Sequence, residues 1–493
     1  MGLKSVSVAR FWTDLTKILP EIAKAEYVAI DFEMTGIEPR RAPKIHKPTK
    51  EEIYRRAKEA TETFSIVQFG ITCIIFDDDE NNTIRLQSYN FNVSPLFDDS
   101  SCKGVDIIAR TLDRTLTLSY KTMMFLKRNR IRIEDAYDGG IQYLSRAEEE
   151  EITPELFATQ KHSRDNYIIL EKQKPETKEF HDETVAKIRA WEESKDDPDQ
   201  PSYFNITNPN GGPLNRFQRR LVYQILETEF DGKYGAMVEG NFFMQITEKN
   251  AEKEEKNQLE KTSNLERAIA FQRGLRYIVE ALVGGDFAKD VWSICQTNRG
   301  MDDKDWETIL QDSESKLKKK RPILLGHNMF YDLCFMHSTF IGPLPNTFDE
   351  FDRIVHDLFP RIMDTKYILK RDDNEMMPSR GLEEIFVDTD HHPVPFTLEG
   401  EVVHAARELH LANEHQAGHD SYKTSVVFVK EMWIRVADEE ALEKDKGNRK
   451  VLYKHQLLQW DNYLVHGYAN KVRVGNAGLW NIGKLEQSEV YAK

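Results

Sequence analysis

The chain opens with a stretch whose apolar residues recur every three or four positions, which predicts an amphipathic helix. These residues are Phe11, Leu15, Leu19 and Ile22. A short β-prone run at residues 27–30 follows and predicts a strand that ends at Asp31. The apolar segment 64–76 and the alternation at positions 89, 91 and 93 predict two more strands. Strands followed by mixed elements are typical of an α/β or α+β sheet domain.

The pattern changes near residue 150. Residues 148–151 are acidic, and residues 195–213 are rich in the Asp, Pro, Asn and Gly that favour loops. Residues 247–262 are dominated by Glu and Lys, which predicts a solvated helix or a linker. We therefore predict a small α-rich or α+β domain at residues 155–262, inserted between two parts of one sheet domain.

In the second half of the chain, the apolar pattern is again typical of a sheet domain. Apolar spacing predicts helices at 265–282, 332–340 and 420–435, and a buried strand at 322–326. Residues 371–400 are predicted to be mostly loop. The predicted organisation is therefore 1–154, the insertion 155–262, 263–443, and a C-terminal extension, 444–493.

Composition and charge narrow the functional classes. The 493 residues are 40% hydrophobic and carry a net charge of −15, which excludes a wholly disordered chain and a uniformly basic coat for nucleic acid. Local basic segments at 40–50 and 316–321 could still line a nucleic-acid path, and solvated surface is the equal alternative for both. The four cysteines form no CxxC pair, so a zinc ribbon or disulfide scaffold is not expected. We expect an intracellular protein, cytoplasmic or nuclear, with no membrane span.

The first predicted strand carries two carboxylates, Asp31 and Glu33. Residues i and i+2 of a strand point to the same face, so these side chains should lie side by side. Two adjacent carboxylates repel each other unless a cation lies between them, and their oxygens suit magnesium or manganese. The alternative is an acidic strand end that is simply solvated.

Two later segments raise the likelihood of a metal site. Asp332 ends the sequence GHNMFYD, which follows the buried strand, and Asp420 ends HQAGHD before the last strong helix. Each aspartate alone could be an ordinary helix N-cap, because Asp is a preferred capping residue. The combination of D-x-E, an aspartate after GHNM, and His-x4-Asp in this order is harder to explain by capping.

This order of residues resembles the DEDDh exonucleases, and more closely the poly(A)-specific ribonuclease family, which includes the piRNA 3′-end trimming enzymes. The matching segments span about residues 25–430 and include IDFEMTGI, FSIVQFG, LLGHNMFYD, LFPRIMDTKY and HQAGHDSY. The resemblance implies an α/β fold with a ribonuclease-H-like mixed sheet flanked by helices. It also implies 3′→5′ hydrolysis of single-stranded RNA ends, either poly(A) tails or 3′ extensions of small RNAs, with release of nucleoside 5′-monophosphates.

The resemblance implies catalytic roles for five residues, which are Asp31, Glu33, Asp332, His415 and Asp420. The four carboxylates would hold two Mg²⁺ ions, with Mn²⁺ as a substitute, and His415 would act as general base. Two such ions can activate water and stabilise the leaving 3′-oxygen. A histidine can accept the water's proton because its ordinary pKa is near 6.5.

Further roles implied by the resemblance concern RNA and partners. Met34, Ile37 and Lys366 match substrate-contacting positions, although core packing is an equal alternative for Met34 and Ile37. Arg219 lies in FQRRLVYQ, which resembles the helix of a single-strand-binding domain. This chain has Tyr223 at the position where the signature of that helix has histidine. A purely structural helix is the alternative there. The resemblance further implies a homodimer, and an adaptor protein is left unspecified.

Other functions are compatible with the same fold. A catalytically inactive RNA-binding scaffold is one alternative, but all five catalytic positions carry the expected residue types. A DNA exonuclease with the same chemistry is another, which the family-specific segments disfavour. No RNA-recognition motif is visible after residue 443, so cap-stimulated deadenylation is not expected.

Overall fold

The computed structural model describes most of the chain, and every structural statement below concerns these residues. They are residues 4–38, 48–77, 83–98, 108, 112, 114–128, 131–158, 167–194, 200–239, 242–299, 304–369, 380–394, 396–400, 416–445, 458–460, 462–475 and 477–484. The chain divides into two compact units. The larger contains Met1–Ile152 and Arg267–Lys493, and the smaller contains Thr153–Glu266.

The strands are β1 Lys4–Val6, β2 Tyr27–Met34, β3 Ile66–Phe76, β4 Thr83–Asn92, β5 Tyr203–Thr207, β6 Tyr234–Glu239, β7 Phe243–Glu248, β8 Ile323–Gly326, β9 Ile362–Asp364, β10 Thr397–Glu399, β11 Lys471–Arg473 and β12 Leu479–Asn481. The helices are α1 Phe11–Lys24, α2 Lys50–Thr63, α3 Tyr120–Arg128, α4 Glu134–Asp138, α5 Arg146–Ala158, α6 Pro175–Glu193, α7 Arg216–Thr228, α8 Ala251–Arg273, α9 Arg276–Val283, α10 Ala288–Arg299, α11 Lys304–Lys319, α12 Phe330–Met336, α13 Phe348–Leu358, α14 Thr365–Ile368, α15 Leu382–Asp390, α16 Ala417–Asp445 and α17 Tyr463–Tyr468. A 3₁₀ turn, Leu170–Lys172, precedes α6, and a π-helical turn, His337–Ile341, follows α12.

The described residues of the larger unit form one mixed sheet of seven strands, with β10 beside β4 and the other strands in the order β1-β4-β3-β2-β8-β9. The pairs β2–β3 and β3–β4 are antiparallel, whereas β2–β8 and β8–β9 are parallel. Ten of the eleven residues of β3 are buried, as expected for a central strand covered on both faces. The predicted α/β fold with a mixed sheet flanked by helices is confirmed.

Helices cover both faces of this sheet. One face packs on a large core to which α1, α9, α12 and α13 contribute, and the opposite face packs on α16. The α1 prediction is confirmed, and its eight buried residues follow the helical period. The sheet therefore presents the C-terminal ends of β2 and β8 between two helical layers.

The β11–β12 hairpin packs into the core of the larger unit. Val472 and Trp480 are buried with the large core. The Trp480 indole Nε1 donates to the buried Asp352 carboxylate at 2.6 Å. The two strands of this hairpin are thus part of the same packed unit as the main sheet.

The smaller unit has its own core. Its described strands form an antiparallel sheet in the order β5-β7-β6, and α6 and α7 supply buried apolar residues. This unit has an α+β architecture. No helix in the described parts of the chain combines the length and apolar character needed to cross a membrane.

Three local predictions were wrong. The helix predicted at 265–282 is broken at Gly274, whose φ is +44° and whose added Cβ would lie 2.0 Å from the Gln142 carbonyl oxygen. A helix, Leu382–Asp390, occupies part of the segment predicted to be mostly loop. The strand predicted to end at Asp31 continues to Met34.

Candidate metal centre

Strand β2 carries Asp31 and Glu33 in its second half. The neighbouring β8 pairs with β2 only at residues 27–29, so both carboxylates lie beyond the end of β8 and are paired by β3 alone. Phe32, between them, is buried on the opposite face of the strand. The alternation of the strand therefore directs both carboxylates to one side of the sheet.

Helix α16 approaches the neighbouring strand, β3, unusually closely. Gly70 of β3 is the residue directly opposite Asp31 in the ladder. A Cβ added to Gly70 would lie 2.0 Å from both the carbonyl carbon and the oxygen of Ala417, the first residue of α16. Only glycine at position 70 allows this contact between sheet and helix.

Polar side chains of the sheet hold the first turn of α16. The backbone N–H of Gly418 donates to the Asn90 Oδ1 at 2.9 Å, and the Ser421 and Thr72 hydroxyls are hydrogen-bonded at 2.9 Å. These contacts lie on either side of Asp420. Together with the glycine contact, they fix the position of Asp420 relative to β2.

The result is a convergence of carboxylates from separate elements. Ligand oxygens of Asp31, Glu33 and Asp420 all lie within 4.8 Å of one another. Asp332, on α12, accepts a hydrogen bond from the backbone N–H of Phe32, between the two β2 carboxylates. Asp332 is the third residue of α12, so it is not an N-cap, and Asp420 lies within the first turn of α16.

Electrostatics show how strongly these groups interact. Burial raises the pKa of the Asp31 carboxyl well above its ordinary value, and the charges of Asp420, Asp332 and Glu33 raise it further. The Lys423 ammonium acts in the opposite direction. Several repelling carboxylates around one point fit a divalent cation with oxygen ligands, such as Mg²⁺ or Mn²⁺, better than zinc.

Lys423 is a site residue that the sequence reasoning missed. Its Nζ lies 3.0 Å from the Asp420 Oδ1 and 2.6 Å from the Glu383 Oε2 on α15. The signal in the sequence is a lysine three residues after Asp420 on a helix, a spacing at which side chains meet. Lys423 thereby fixes one oxygen of Asp420 and links α15 to the centre.

Asp364 is a second residue that was missed. Its carboxylate accepts the backbone N–H groups of Asn328 at 2.8 Å, Met329 at 3.3 Å and Lys366 at 2.9 Å. Burial raises the pKa of Asp364 to about 6, against the effect of these hydrogen bonds. Asn328 has a φ of +59°. Asp364 therefore holds the turn between β8 and α12, which carries Asp332.

His327 belongs to the same turn. Its Nδ1 is hydrogen-bonded to the Thr365 hydroxyl at 2.8 Å. Burial, followed by the charge of Lys366, lowers the pKa of His327 to about 4, and the charge of Asp420 raises it. His327 is therefore a neutral side chain at neutral pH, near both Lys366 and the carboxylates.

The other predicted residues are placed as follows. Met34 is partly buried and packs against the large core, which agrees with the packing alternative, whereas Ile37 is 51% exposed. The Lys366 Nζ donates to the backbone carbonyl of Arg380 at 2.9 Å. His415, the predicted general base, lies outside the described residues.

Arg219 belongs to the smaller unit. Its Nε donates to the Leu214 carbonyl at 2.8 Å, which ties the start of α7 to the preceding loop. Arg216 and Arg220, on the same helix, are exposed. This contact agrees with the structural alternative for Arg219.

The two predicted basic segments differ. Most of residues 40–50 lie outside the described residues. In residues 316–321, Lys316 pairs with Asp312 at 2.8 Å and Lys320 pairs with Glu26 at 2.7 Å. Lys318 lies 2.6 Å from Glu314. These lysines already have acidic partners, which weakens the case for them as an RNA path.

The buried Asp332 makes the stability of the metal-free protein pH-dependent. Burial raises its pKa to about 7, so the folded protein holds this proton more tightly than the unfolded chain. The resulting stability is complete below the ordinary carboxyl pKa near 4 and is lost as pH rises through about 7. In EDTA, Asp332→Asn should flatten this decline and be more stable than the wild type at pH 8 by about 1–4 kcal/mol.

Urea unfolding between pH 5 and pH 8 measures this effect. Asp312→Asn, at a 59% exposed side chain on α11, is the control and should keep the wild-type slope. Equal slopes for Asp332→Asn and the wild type would contradict the assignment.

Comparison with known proteins agrees with the geometry. A family model described as "CAF1 family ribonuclease" matches residues 6–428. The pre-piRNA 3′-exonuclease trimmer of Bombyx mori is 23% identical over 489 residues, covering 96% of this chain and 77% of that protein. The poly(A)-specific ribonuclease PARN of Xenopus laevis is 22% identical over 452 residues, covering 86% of this chain and 62% of that protein.

A solved structure is also similar at a lower level. The Mg²⁺ and Mn²⁺ bound form of S. pombe Pop2p shares 12% identity with a TM-score of 0.37, covering 87% of this chain and 91% of that chain. The named relatives confirm the resemblance to poly(A)-specific and 3′-trimming ribonucleases. Because the family model matches most of its length, the chain belongs to the CAF1 family of ribonucleases.

Proposed function

We propose that this protein is a metal-dependent 3′→5′ exoribonuclease that acts on the 3′ ends of single-stranded RNA and releases nucleoside 5′-monophosphates. Its substrates are poly(A) tails or 3′ extensions of small and noncoding RNAs. The observation that carries the proposal is the convergence of Asp31, Glu33 and Asp420 within 4.8 Å, with Asp332 hydrogen-bonded to the backbone between the first two.

The clustered carboxylates of Asp31, Glu33 and Asp420 fit a divalent cation such as Mg²⁺, with Mn²⁺ as a substitute, because every ligand offered is a carboxylate oxygen. A second ion, held with the help of Asp332, is what the family resemblance implies. Bound ions would supply Lewis-acid stabilisation of the attacked phosphate and of the leaving 3′-oxygen. The chain itself positions Asp420 through the glycine contact at position 70, and Asp332 through the turn fixed by Asp364.

His415 completes the proposal as general base. It is covalently adjacent to Gln416, which directly precedes α16, so it is five residues from Asp420. A histidine with its ordinary pKa near 6.5 can accept a proton from water at neutral pH. Its role rests on the family resemblance.

Assembly is a further part of the proposal. The family resemblance implies a homodimer, and we extend that expectation to this chain. The adaptor that would deliver RNA is left unspecified.

A labelled-RNA assay tests the activity. Purified protein is incubated with a 5′-labelled RNA that ends in a poly(A) tail, one of mixed sequence, and matched DNA, each with Mg²⁺ and with EDTA. We expect RNA shortened from the 3′ end only with Mg²⁺, and nucleoside 5′-monophosphate as product. Faster hydrolysis of the tailed RNA would identify a deadenylase, and equal rates would identify a general trimmer.

Two outcomes would contradict the proposal. RNA that stays intact but bound under all conditions would indicate the inactive scaffold. Degradation of DNA as fast as RNA would indicate an exonuclease without sugar selectivity.

A further inference from the structure

The β11–β12 hairpin lies beside the start of β9. The backbone N–H of Asn470 donates to the Ile362 carbonyl at 2.8 Å, and the Asn470 Oδ1 accepts the Ile362 N–H at 2.8 Å. This hairpin lies beyond residues 6–428, the part of the chain that the family model matches. The hydrogen bonds between Asn470 and Ile362 hold the hairpin next to the start of α14, which carries Lys366.

Two cations of β11 share one face of the hairpin. Val472 is buried in the large core, so Lys471 and Arg473 on either side of it point away from that core. The Lys471 Nζ lies 5.3 Å from the centre of the Tyr367 ring. The Arg473 Nε donates to the Gly475 carbonyl at 2.9 Å, which orients the guanidinium and leaves its terminal nitrogens for another acceptor.

Lys366 is a third cation at this place. Burial lowers the pKa of its ammonium, and the charge of Arg473 lowers it further, against the opposite effect of Asp364. Within the described part of the chain, no carboxylate forms an ion pair with Lys366, Lys471 or Arg473. Like charges held together repel one another, and an anion placed between them relieves that repulsion.

These cations lead towards the metal centre. Asp364, two residues before Lys366, accepts the backbone N–H of Asn328 at 2.8 Å, in the turn that leads to Asp332. The lysines of residues 316–321 provide a contrast, since three of them pair with carboxylates. The cations of the hairpin are therefore better suited to bind an external phosphate.

We propose that Lys471 and Arg473, together with Lys366, form a phosphate-binding track for single-stranded RNA on the 5′ side of the scissile bond. Arg473 provides paired donors that suit a phosphate, and Lys471 adds a point charge. Because the contacts are to the backbone, the track binds RNA without regard to sequence. This inference rests on the proposed ribonuclease function, to which it adds a binding surface.

Binding in EDTA tests the track separately from hydrolysis. The Kd of a fluorescent 15-nucleotide RNA of mixed sequence is measured by anisotropy at several KCl concentrations. We expect the double variant Lys471→Gln with Arg473→Gln to raise Kd about tenfold at low salt. It should also reduce the slope of log K against log salt by about 1.4, since each phosphate contact on a single strand contributes about 0.7.

The matched control removes the same charge elsewhere in the larger unit. Lys316→Gln with Lys320→Gln should leave both Kd and slope close to the wild type. The single variant Arg473→Lys, made with Lys471 unchanged, keeps the charge and should retain most of the wild-type slope. Thermal melting of all variants shows whether the hairpin still packs through Trp480, and the single variant Lys471→Gln replaces the double variant if the latter melts early.

If the folded double variant, Lys471→Gln with Arg473→Gln, bound RNA with the wild-type Kd and salt slope, the proposed phosphate-binding track would be wrong. An effect no larger than that of the control pair would overturn it too, because it would reflect net charge alone. Since no step of this measurement requires hydrolysis, an inactive wild-type protein would contradict the proposed function without deciding the track.

Discussion

Replacing Asp31 with Asn and Glu33 with Gln together should lower the rate of RNA hydrolysis by about 10³-fold or more. The amides keep the shape of both side chains but remove the two charges that β2 contributes to the proposed metal centre. Because burial and neighbouring charges already raise the pKa of Asp31, neutralising it also relieves repulsion in the metal-free protein. The variant should therefore be folded, and at least as stable as the wild type in EDTA.

Single-turnover hydrolysis with Mg²⁺ measures the rate, and urea unfolding in EDTA measures the stability. Glu59→Gln with Glu62→Gln makes the same charge change at two exposed positions of α2 and is the matched control. RNA affinity in EDTA should change little in either variant. If the β2 variant still hydrolysed RNA at a rate near that of the wild type, Asp31 and Glu33 would not be the catalytic carboxylates.

The convergence of these carboxylates could be anticipated because its signals are local. Asp31 and Glu33 are two residues apart on one strand, and that spacing alone sets their common face. Asp332 and Asp420 each follow an element boundary that apolar spacing reveals. The order of the motifs along the chain then carries the family resemblance.

The contacts that position these carboxylates could not be anticipated in the same way. Asn90 and Thr72 hold α16 across more than 300 residues of sequence, and no local pattern marks such a pairing. Asp364 acts through backbone N–H groups of a distant turn. Polar residues on a strand predict a partner, but the sequence does not say which element supplies it.

The break at Gly274 shows why periodicity also misleads. Apolar residues continue at helical spacing through this position, so the pattern predicts one helix. The break instead follows from a tertiary contact, the bridge between Tyr143 and Gly274. A glycine with positive φ permits that contact, but glycine alone within a helical pattern does not require it.

Replacing Gly70 with Ala should disrupt the proposed metal centre, although it adds only one methyl group. The new Cβ would lie 2.0 Å from the Ala417 carbonyl and 2.4 Å from the Gly418 nitrogen, and both are backbone atoms that cannot rotate away. The first turn of α16 must therefore move by about 1 Å or more, and Asp420 must move with it. Since a displacement of that size can reduce catalysis about 10²-fold, we expect a loss of at least that order.

Hydrolysis rates across a Mg²⁺ titration and urea unfolding measure the two expected effects. Overpacking should lower the free energy of unfolding by about 1–3 kcal/mol, and the half-saturating Mg²⁺ concentration should rise because Asp420 no longer faces Asp31 as closely. Gly467→Ala is the control, since an added Cβ there has no atom of the described residues within 4 Å. A Gly70→Ala protein with the rate and Mg²⁺ dependence of the wild type would mean that the docking of α16 on β3 does not set the geometry of the centre.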